Sequence, residues 1–462
     1  MREGVLRLWF ESALLPGGWA RRVRITGHEG VISSVEPDVE PGDGDERHAA
    51  GIPGLPNLHS HAFQRAIAGL TERRGPTEDS FWTWRELMYR FVERIDPDQL
   101  EAITALAFAE MLEAGFTRVG EFHYLHQDKS AVPFADPGEL AGRVAAAAAD
   151  TGIALTLLPA FYAHGGFGGR EPSARQRRFV TDLERFARIM ESSRTAIRGL
   201  VAANLGVAPH SLRAVRPEEL PSVVALASGG PIHIHVAEQM REVEECIAWC
   251  GRRPIELLFE AATVDRAWCL VHATHAINAE LAQIAAAGAV VGLCPITEAS
   301  LGDGVFPAPE FRMQGGRLGI GTDSNVLLDA GAELRALEYS QRLTRRVRNV
   351  LAGEPGRSNG RSLFDAALAG GAQALGGGRD RGRGQVGLAA EAPLDLISLN
   401  VDHPALIERR DDEILDSWIF AAGREVIDCV WRAGEKVVSG GRHQHREAIV
   451  ARYRRAMKAL LA

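Results

Sequence analysis

Several functional classes are excluded by what the 462-residue chain has little of. Its five cysteines, Cys246, Cys250, Cys269, Cys294 and Cys429, are odd in number and show no metal-binding CxxC spacing, which argues against a disulfide scaffold or a thiolate metal site and suits reduced thiols in a cytoplasm. Positive charge is not in excess. With 60 acidic against 52 basic residues the net charge is −8, so there is no general footprint for nucleic acid or an anionic membrane, and an anionic ligand must be met by local arginines. No apolar stretch is long enough to span a bilayer, and the N-terminal segment is broken by Arg7 and Glu11, which reads as a soluble protein without an export signal. No GxGxxG follows an early strand, no internal repeat is visible and no long low-complexity tract occurs. Dinucleotide binding and solenoid architectures lose their main signatures.

What is present is an ordinary globular mixture, 46% hydrophobic and 24% charged, with material for a large core. From Gly4 to Val39, short β-type runs (Val5–Phe10, Val23–Thr26, Val31–Val35) alternate with turn signals, the rhythm of antiparallel strands. Beyond Gly51 the pattern changes to apolar runs followed by helical segments. The runs are Thr117–Phe122, Ala154–Ala160, Leu200–Val207, Ile232–Val236, Trp268–His272, Val290–Cys294 and Leu318–Thr322, and one more leads into Leu58-His59. Eight βα units predict a (β/α)₈ barrel. The helices expected between them include Pro97–Ala114, with Asp96 as N-cap, Glu139–Thr151 and Ala279–Ala287. The glycine- and arginine-rich Gly376–Gly387 reads as a solvated loop. After it, Leu394–Asn400, Val426–Arg432 and Glu435–Val438 return to short strands before a terminal helix at Ile449–Leu461. The expected organisation is a small β-sandwich domain built from residues 1–50 and 381–445, a barrel at 51–380 and a C-terminal helix at 446–462.

Chemistry concentrates at the strand ends. In Leu58-His59-Ser60-His61 alternate residues of an extended chain face one side, so both imidazoles can reach one ion; two partly exposed histidines at a strand end are the bland alternative. Further candidate ligands recur later, in Ile232-His233-Ile234-His235-Val236 followed by Glu238, in Leu270-Val271-His272, and in Gly321-Thr322-Asp323. In a barrel of this type these ends converge on one mouth. Taken singly, Asp323 could be a helix N-cap and Glu238 a solvated carboxylate at a helix start.

The set resembles the amidohydrolase superfamily, and within it the formimidoylglutamate deiminases of bacterial histidine breakdown. The narrower likeness is carried by HSHAFQRAIAGLTERRG from His59, SFWTWRELMYR from Ser80, EFHYLH from Glu121, APHSLRAV from Ala208, HIHVAEQ from His233, VHATH from Val271 and GTDSNV from Gly321. The resemblance implies one divalent ion, Zn²⁺, held by His59, His61, His235 and Asp323, with His233 a buried neighbour. It implies Asp323 as proton acceptor from water, Glu238 as proton shuttle and acid toward the leaving nitrogen, and His272 as the group that orients or polarises the attacked atom. Gln64, Arg85, Tyr124, His210 and Arg213 are implied as substrate contacts. The two arginines can each grip a carboxylate through paired hydrogen bonds, although Arg85 could merely stack on a neighbouring tryptophan and Arg213 could pair with Glu218 or Glu219. The implied reaction is hydrolysis of N-formimino-L-glutamate to N-formyl-L-glutamate and ammonia by a cytoplasmic homodimer, with a small-molecule dicarboxylate as its partner. A related deaminase acting on a nucleobase or another formimino or guanidino acid is the alternative, and a metal-binding scaffold without catalysis is a third reading.

Overall fold

A computed structural model describes residues 5–76, 78–376 and 386–462; most of the expected Gly376–Gly387 loop, with the anticipated boundary at 380, lies outside the described residues. Strands from the two ends of the chain share one eight-stranded sheet. Its order is Arg442–His443, Glu435–Ser439, Ile427–Arg432, Leu396–Leu399, Glu46–Pro53, Leu6–Leu15, Gly18–His28, Val31–Glu36. The Leu6–Leu15 and Glu46–Pro53 pair is parallel and the other pairings are antiparallel. Alternating side chains explain its packing, since Leu8, Phe10, Val23, Ile25, Leu396 and Trp431 point into one buried cluster while the intervening positions meet water or the rest of the molecule.

The central strands form two parallel sheets. One contains Leu55–Ser60, Phe116–His123, Ala154–Phe161 and Asn204–Leu205, with Ala208–Pro209 pairing beside it, and the other contains Ile232–Val236, Trp268–His272, Val290–Leu293 and Arg317–Ile320. Their edges meet through isolated parallel bridges, Val207 to Ile232 and Ser211 to His235 at one seam and Ser60 to Asp323 at the other. The hydrogen-bond ladder is therefore not continuous around the ring. Near one seam the expected strand Leu200–Val207 is reduced to two short pairs. Ala202 turns at φ 56°, and at Gly206 a Cβ would sit 2.4 Å from Pro231 O, so the chain bends where two backbones nearly touch.

Strand side chains divide between two clusters. In Trp268–His272, Cys269 and Val271 face an inner group with Leu58 and Val290, whereas Trp268 and Leu270 join the large cluster shared with the surrounding helices. Each such fully buried aliphatic side chain is worth about 1.5–3 kcal/mol. The helix Pro97–Glu113 starts at Asp96, whose carboxylate accepts the Gln99 N–H at 2.8 Å, and it packs between the helices Glu139–Thr151 and Arg446–Leu461. The helix Asn359–Ala374 closes the end of the strands opposite the histidines. It approaches so closely that a Cβ on Gly370 would lie 1.9 Å from Leu318 O, a contact only glycine allows. The C-terminal segment is not purely β, because the helix Asp412–Ala421 buries Trp418 against Phe364.

Candidate active site

The carboxyl ends of the parallel strands bring together four groups far apart in sequence. His59 is the penultimate residue of Leu55–Ser60, His61 follows that strand, His235 lies in Ile232–Val236 and Asp323 lies beyond Arg317–Ile320. All four are buried. His235 Nε2 lies 3.1 Å from His59 Nε2 and 3.3 Å from His61 Nε2, and Asp323 Oδ1 lies 3.3 Å and 3.2 Å from the Nε2 atoms of His59 and His61. The orientation follows from the opposite ring nitrogens. His61 Nδ1 donates to Phe122 O at 2.8 Å and His235 Nδ1 donates to His210 O at 2.9 Å, which turns each Nε2 lone pair toward the common centre.

Burial, together with the neighbouring histidines, holds His59 and His235 well below the usual imidazole pKa, and burial lowers His61 despite Asp323 beside it. Neutral imidazoles aim their lone pairs at one point and a carboxylate completes the set. A tetrahedron with ligand distances of about 2.1 Å has edges of about 3.4 Å, so these separations fit a divalent cation. The cluster is compact enough, with its four ligand atoms within 4.8 Å of one another, to serve as one mononuclear site.

Glu238 and His272 stand at the edge of this cluster. Ala237 turns at φ 51° after its strand, and the Glu242 carboxylate accepts the N–H groups of Ala237 and Glu238 at 3.2 and 3.1 Å, fixing the turn that presents Glu238. Its Oε1 lies 3.8 Å from His272 Nε2 and its Oε2 lies 3.8 Å from Arg213 Nη2. Burial pushes the Glu238 carboxyl up to about 7, with His272 and Arg213 opposing that rise. For His272 burial acts against charge, yet Glu238, Glu298 and Asp323 together raise it to about 10.

The cavity above these groups is lined on its outer side by Gln64, Arg85, Tyr124, Tyr162, His210 and Arg213. Arg85 sits on the helix Phe81–Val92 with its guanidinium 4.5 Å from the Trp82 ring centroid, so the stacking alternative is realised alongside its place in the cavity wall. Arg213 does not pair with Glu218 or Glu219; Glu219 is taken by His164 and Arg216. The Nε atoms of Arg85 and Arg213 are buried without a hydrogen-bond partner. Gln64 Nε2 donates to Tyr124 Oη at 3.0 Å and its Oε1 is unpartnered. His210, kept neutral chiefly by burial and also by Arg213, contacts Ser211 Oγ at 3.2 Å. His233 lies off the cluster, buried, with Nε2 donating to Ala374 O at 2.8 Å.

The amidohydrolase family profile matches residues 51–437. The chain belongs to the amidohydrolase family. Within this amidohydrolase, residues 9–49 match the profile of the N-terminal domain of formimidoylglutamate deiminase HutF. A formimidoylglutamate deiminase from Pseudomonas aeruginosa is 49% identical over 442 residues, covering 95% of this chain and 96% of the relative, which places the chain in that branch of the family. The crystal structure of an amidohydrolase from Brucella melitensis superposes with a TM-score of 0.94 at 52% identity, covering 99% of this chain and all of that one. A zinc-bound adenosine deaminase from Xanthomonas campestris, 24% identical with a TM-score of 0.81 over 99% of this chain and 98% of its own, shares the fold.

Some residues that shape this amidohydrolase site escape sequence reasoning. Glu242 and Glu298 act on backbone and ring nitrogens from four or more residues away, Tyr162 and Phe179 come from separate segments, and Asn325 works beneath the ligands. Of these, only Asn325 lies inside a quoted motif, in GTDSNV.

Proposed function

We propose that the protein hydrolyses N-formimino-L-glutamate to N-formyl-L-glutamate and ammonia, as a step in histidine breakdown. The observation that carries this reading is the pair of arginines, Arg85 and Arg213, that line the cavity holding the His/Asp cluster and whose buried Nε donors have no protein partner. An unpaired buried charged donor is costly, and a substrate with two carboxylates satisfies both. Arg213 lies beside Glu238, so it suits the carboxylate nearest the reacting head, whereas Arg85 on its separate helix suits the distal one.

His59, His61, His235 and Asp323 would hold the ion, for which Zn²⁺ is the proposed identity. A divalent ion in such a site supplies Lewis-acid activation of water and of the group under attack. The chain's own residues handle position and protons. Asp323 accepts a proton from water as its oxygen adds to the formimino carbon, and Glu238 carries protons to the imino nitrogen, which leaves as ammonia. Since water contributes both of its hydrogens to NH₃, the groups end the cycle in their starting state. A carboxyl near pKa 7 suits this two-way traffic. His272 Nε2, facing both carboxylates, orients the attacked group, while Gln64, Tyr124 and His210 fix the head and backbone of the substrate.

This reading includes a (β/α)₈ barrel over residues 51–380, a small β-sandwich from 1–50 and 381–445, a terminal helix from 446, and a cytoplasmic homodimer. Among the described residues no helix is long and apolar enough to cross a membrane. The test is ammonia release by the metal-analysed protein offered N-formimino-L-glutamate, its aspartate analogue and a nucleobase panel. Turnover of the glutamate compound in preference to the others supports the reading, and preference for a ring substrate overturns it.

A further inference from the structure

The short helix Pro295–Leu301 begins directly after the strand Val290–Leu293 and contributes a carboxylate that does not line the cavity. That residue, Glu298, is 6% exposed. Its Oε1 accepts two hydrogen bonds, from the Cys294 N–H at 2.9 Å and from His272 Nδ1 at 3.1 Å. The Nδ1 proton of His272 is thereby held by Glu298. Its Nε2 is turned inward, 3.8 Å from Glu238 Oε1 and 3.9 Å from Asp323 Oδ2. The backbone alone is a poor guarantee of that orientation, because His272 and Ala273 turn consecutively through the left-handed region at φ 68° and 48°, which L-residues seldom adopt.

We infer that Glu298 is a positioning residue for the hydrolysis: it holds the Nδ1 proton and fixes the ring plane of His272, so that Nε2 is the atom presented to the substrate. The inference rests on the function proposed above. A rival role is purely local, the carboxylate merely satisfying the Cys294 N–H. The two roles separate because the first acts only through His272. A buried partner that fixes an imidazole's orientation is commonly worth about 10–100-fold in activity at comparable sites.

The experiment compares the metal-loaded parent with Glu298→Ala, Glu298→Gln, His272→Asn and the double variant Glu298→Ala/His272→Asn, following ammonia from N-formimino-L-glutamate. Glu298→Ala is expected to lose about tenfold or more in kcat, with KM within about threefold and metal content unchanged. Glu298→Gln keeps an acceptor oxygen at the same place and should recover most of kcat; it also serves if the alanine variant does not fold. In the His272→Asn background, Glu298→Ala should change the residual kcat by less than about twofold. Independently of turnover, ¹⁵N-histidine NMR of the parent should show His272 protonated at Nδ1, its signal assigned by its loss in His272→Asn. An equal loss of kcat in both backgrounds, parent-like kcat in Glu298→Ala, or a bare Nδ1 overturns the positioning role. Absence of ammonia from the parent itself overturns the functional reading instead, and the NMR result still decides whether Nδ1 carries the proton that Glu298 accepts.

Discussion

Replacing Arg213 with methionine removes a largely buried cation from the wall of the cavity. Its side chain is 12% exposed, its Nη2 is 3.8 Å from Glu238 Oε2, and its Nε has no partner. Burial opposes its charge, but Glu242 and Glu238 keep the guanidinium protonated. Truncating one member of a desolvated charge pair costs about 2–5 kcal/mol, which is about 30-fold to several-thousand-fold in kcat/KM with N-formimino-L-glutamate. A second effect follows from the same geometry. Glu238 loses one of the two cations that restrain its pKa, so the limb of the kcat/KM profile that belongs to Glu238 should move to higher pH. The assay is steady-state ammonia release across pH, with metal content measured on the same samples. A substrate analogue lacking the carboxylate nearest the formimino group serves as control, slow with the parent and little changed by the substitution. Normal kcat/KM for Arg213→Met, with the metal in place, would falsify the carboxylate clamp and return weight to a ring substrate.

Three further outcomes are expected. Glu238→Gln should keep its metal and its melting temperature while kcat falls by about 10²–10⁴-fold; loss of metal would instead make Glu238 a ligand. Chelation should abolish turnover and lower the melting temperature, since an ion that binds only the folded chain stabilises it, and elemental analysis should return one ion per chain in the parent and none in His235→Ala. Burial drives His123 to about 3 and His126 to about 4, so both stay neutral in the fold while they protonate in the unfolded chain below about pH 6.5. The unfolded state then binds more protons, and stability is lost as pH falls from about 6.5 toward 4, by about 1.4 kcal/mol per histidine for each pH unit. Thermal scans should show this slope, and His126→Gln should make it shallower; an unchanged slope refutes the assignment to His126.

Parallel strands in this fold are legible because burial on both faces demands unbroken apolar runs. Ile232–Val236 and Trp268–His272 coincide with the runs read from sequence, and Glu139–Thr151 matches its expected helix residue for residue. Leu200–Val207 does not, because an apolar run carries no sign that its backbone must bend around Pro231. The helix Asp412–Ala421 was hidden for a related reason: it lies between strand-like segments, and Trp418 is held by tertiary packing against Phe364. The ligand histidines were readable from spacing at strand ends. Glu298 was not, since its partner His272 is 26 positions away and a glutamate in a short helix has no local mark of such a contact.

The same asymmetry has a physical origin in how the reacting groups are presented. Glu238, His272 and Asp323 each sit at a turn that leaves a strand with positive φ, at Ala237 (51°), at His272 and Ala273 (68° and 48°), and at Asp323 and Asn325 (43° and 55°). Such conformations cost of order 1–3 kcal/mol each and persist only where the surroundings over-determine them. Each turn has its own buried prop outside the cavity. Glu242 accepts the N–H groups of Ala237 and Glu238, Glu298 takes the Nδ1 proton of His272, and Asn325 Nδ2 donates to Asp323 O at 3.1 Å and to His61 O at 3.0 Å. Asn325 therefore ties a carboxylate ligand to a histidine ligand across the Ser60–Asp323 seam. The residues that would hold the ion and move the protons come with motif spacing because a strand end imposes it. Those that hold them in strained turns need only a polar atom at the right point in space, which many stretches of sequence could supply, and for that reason they become visible only once the chain is folded.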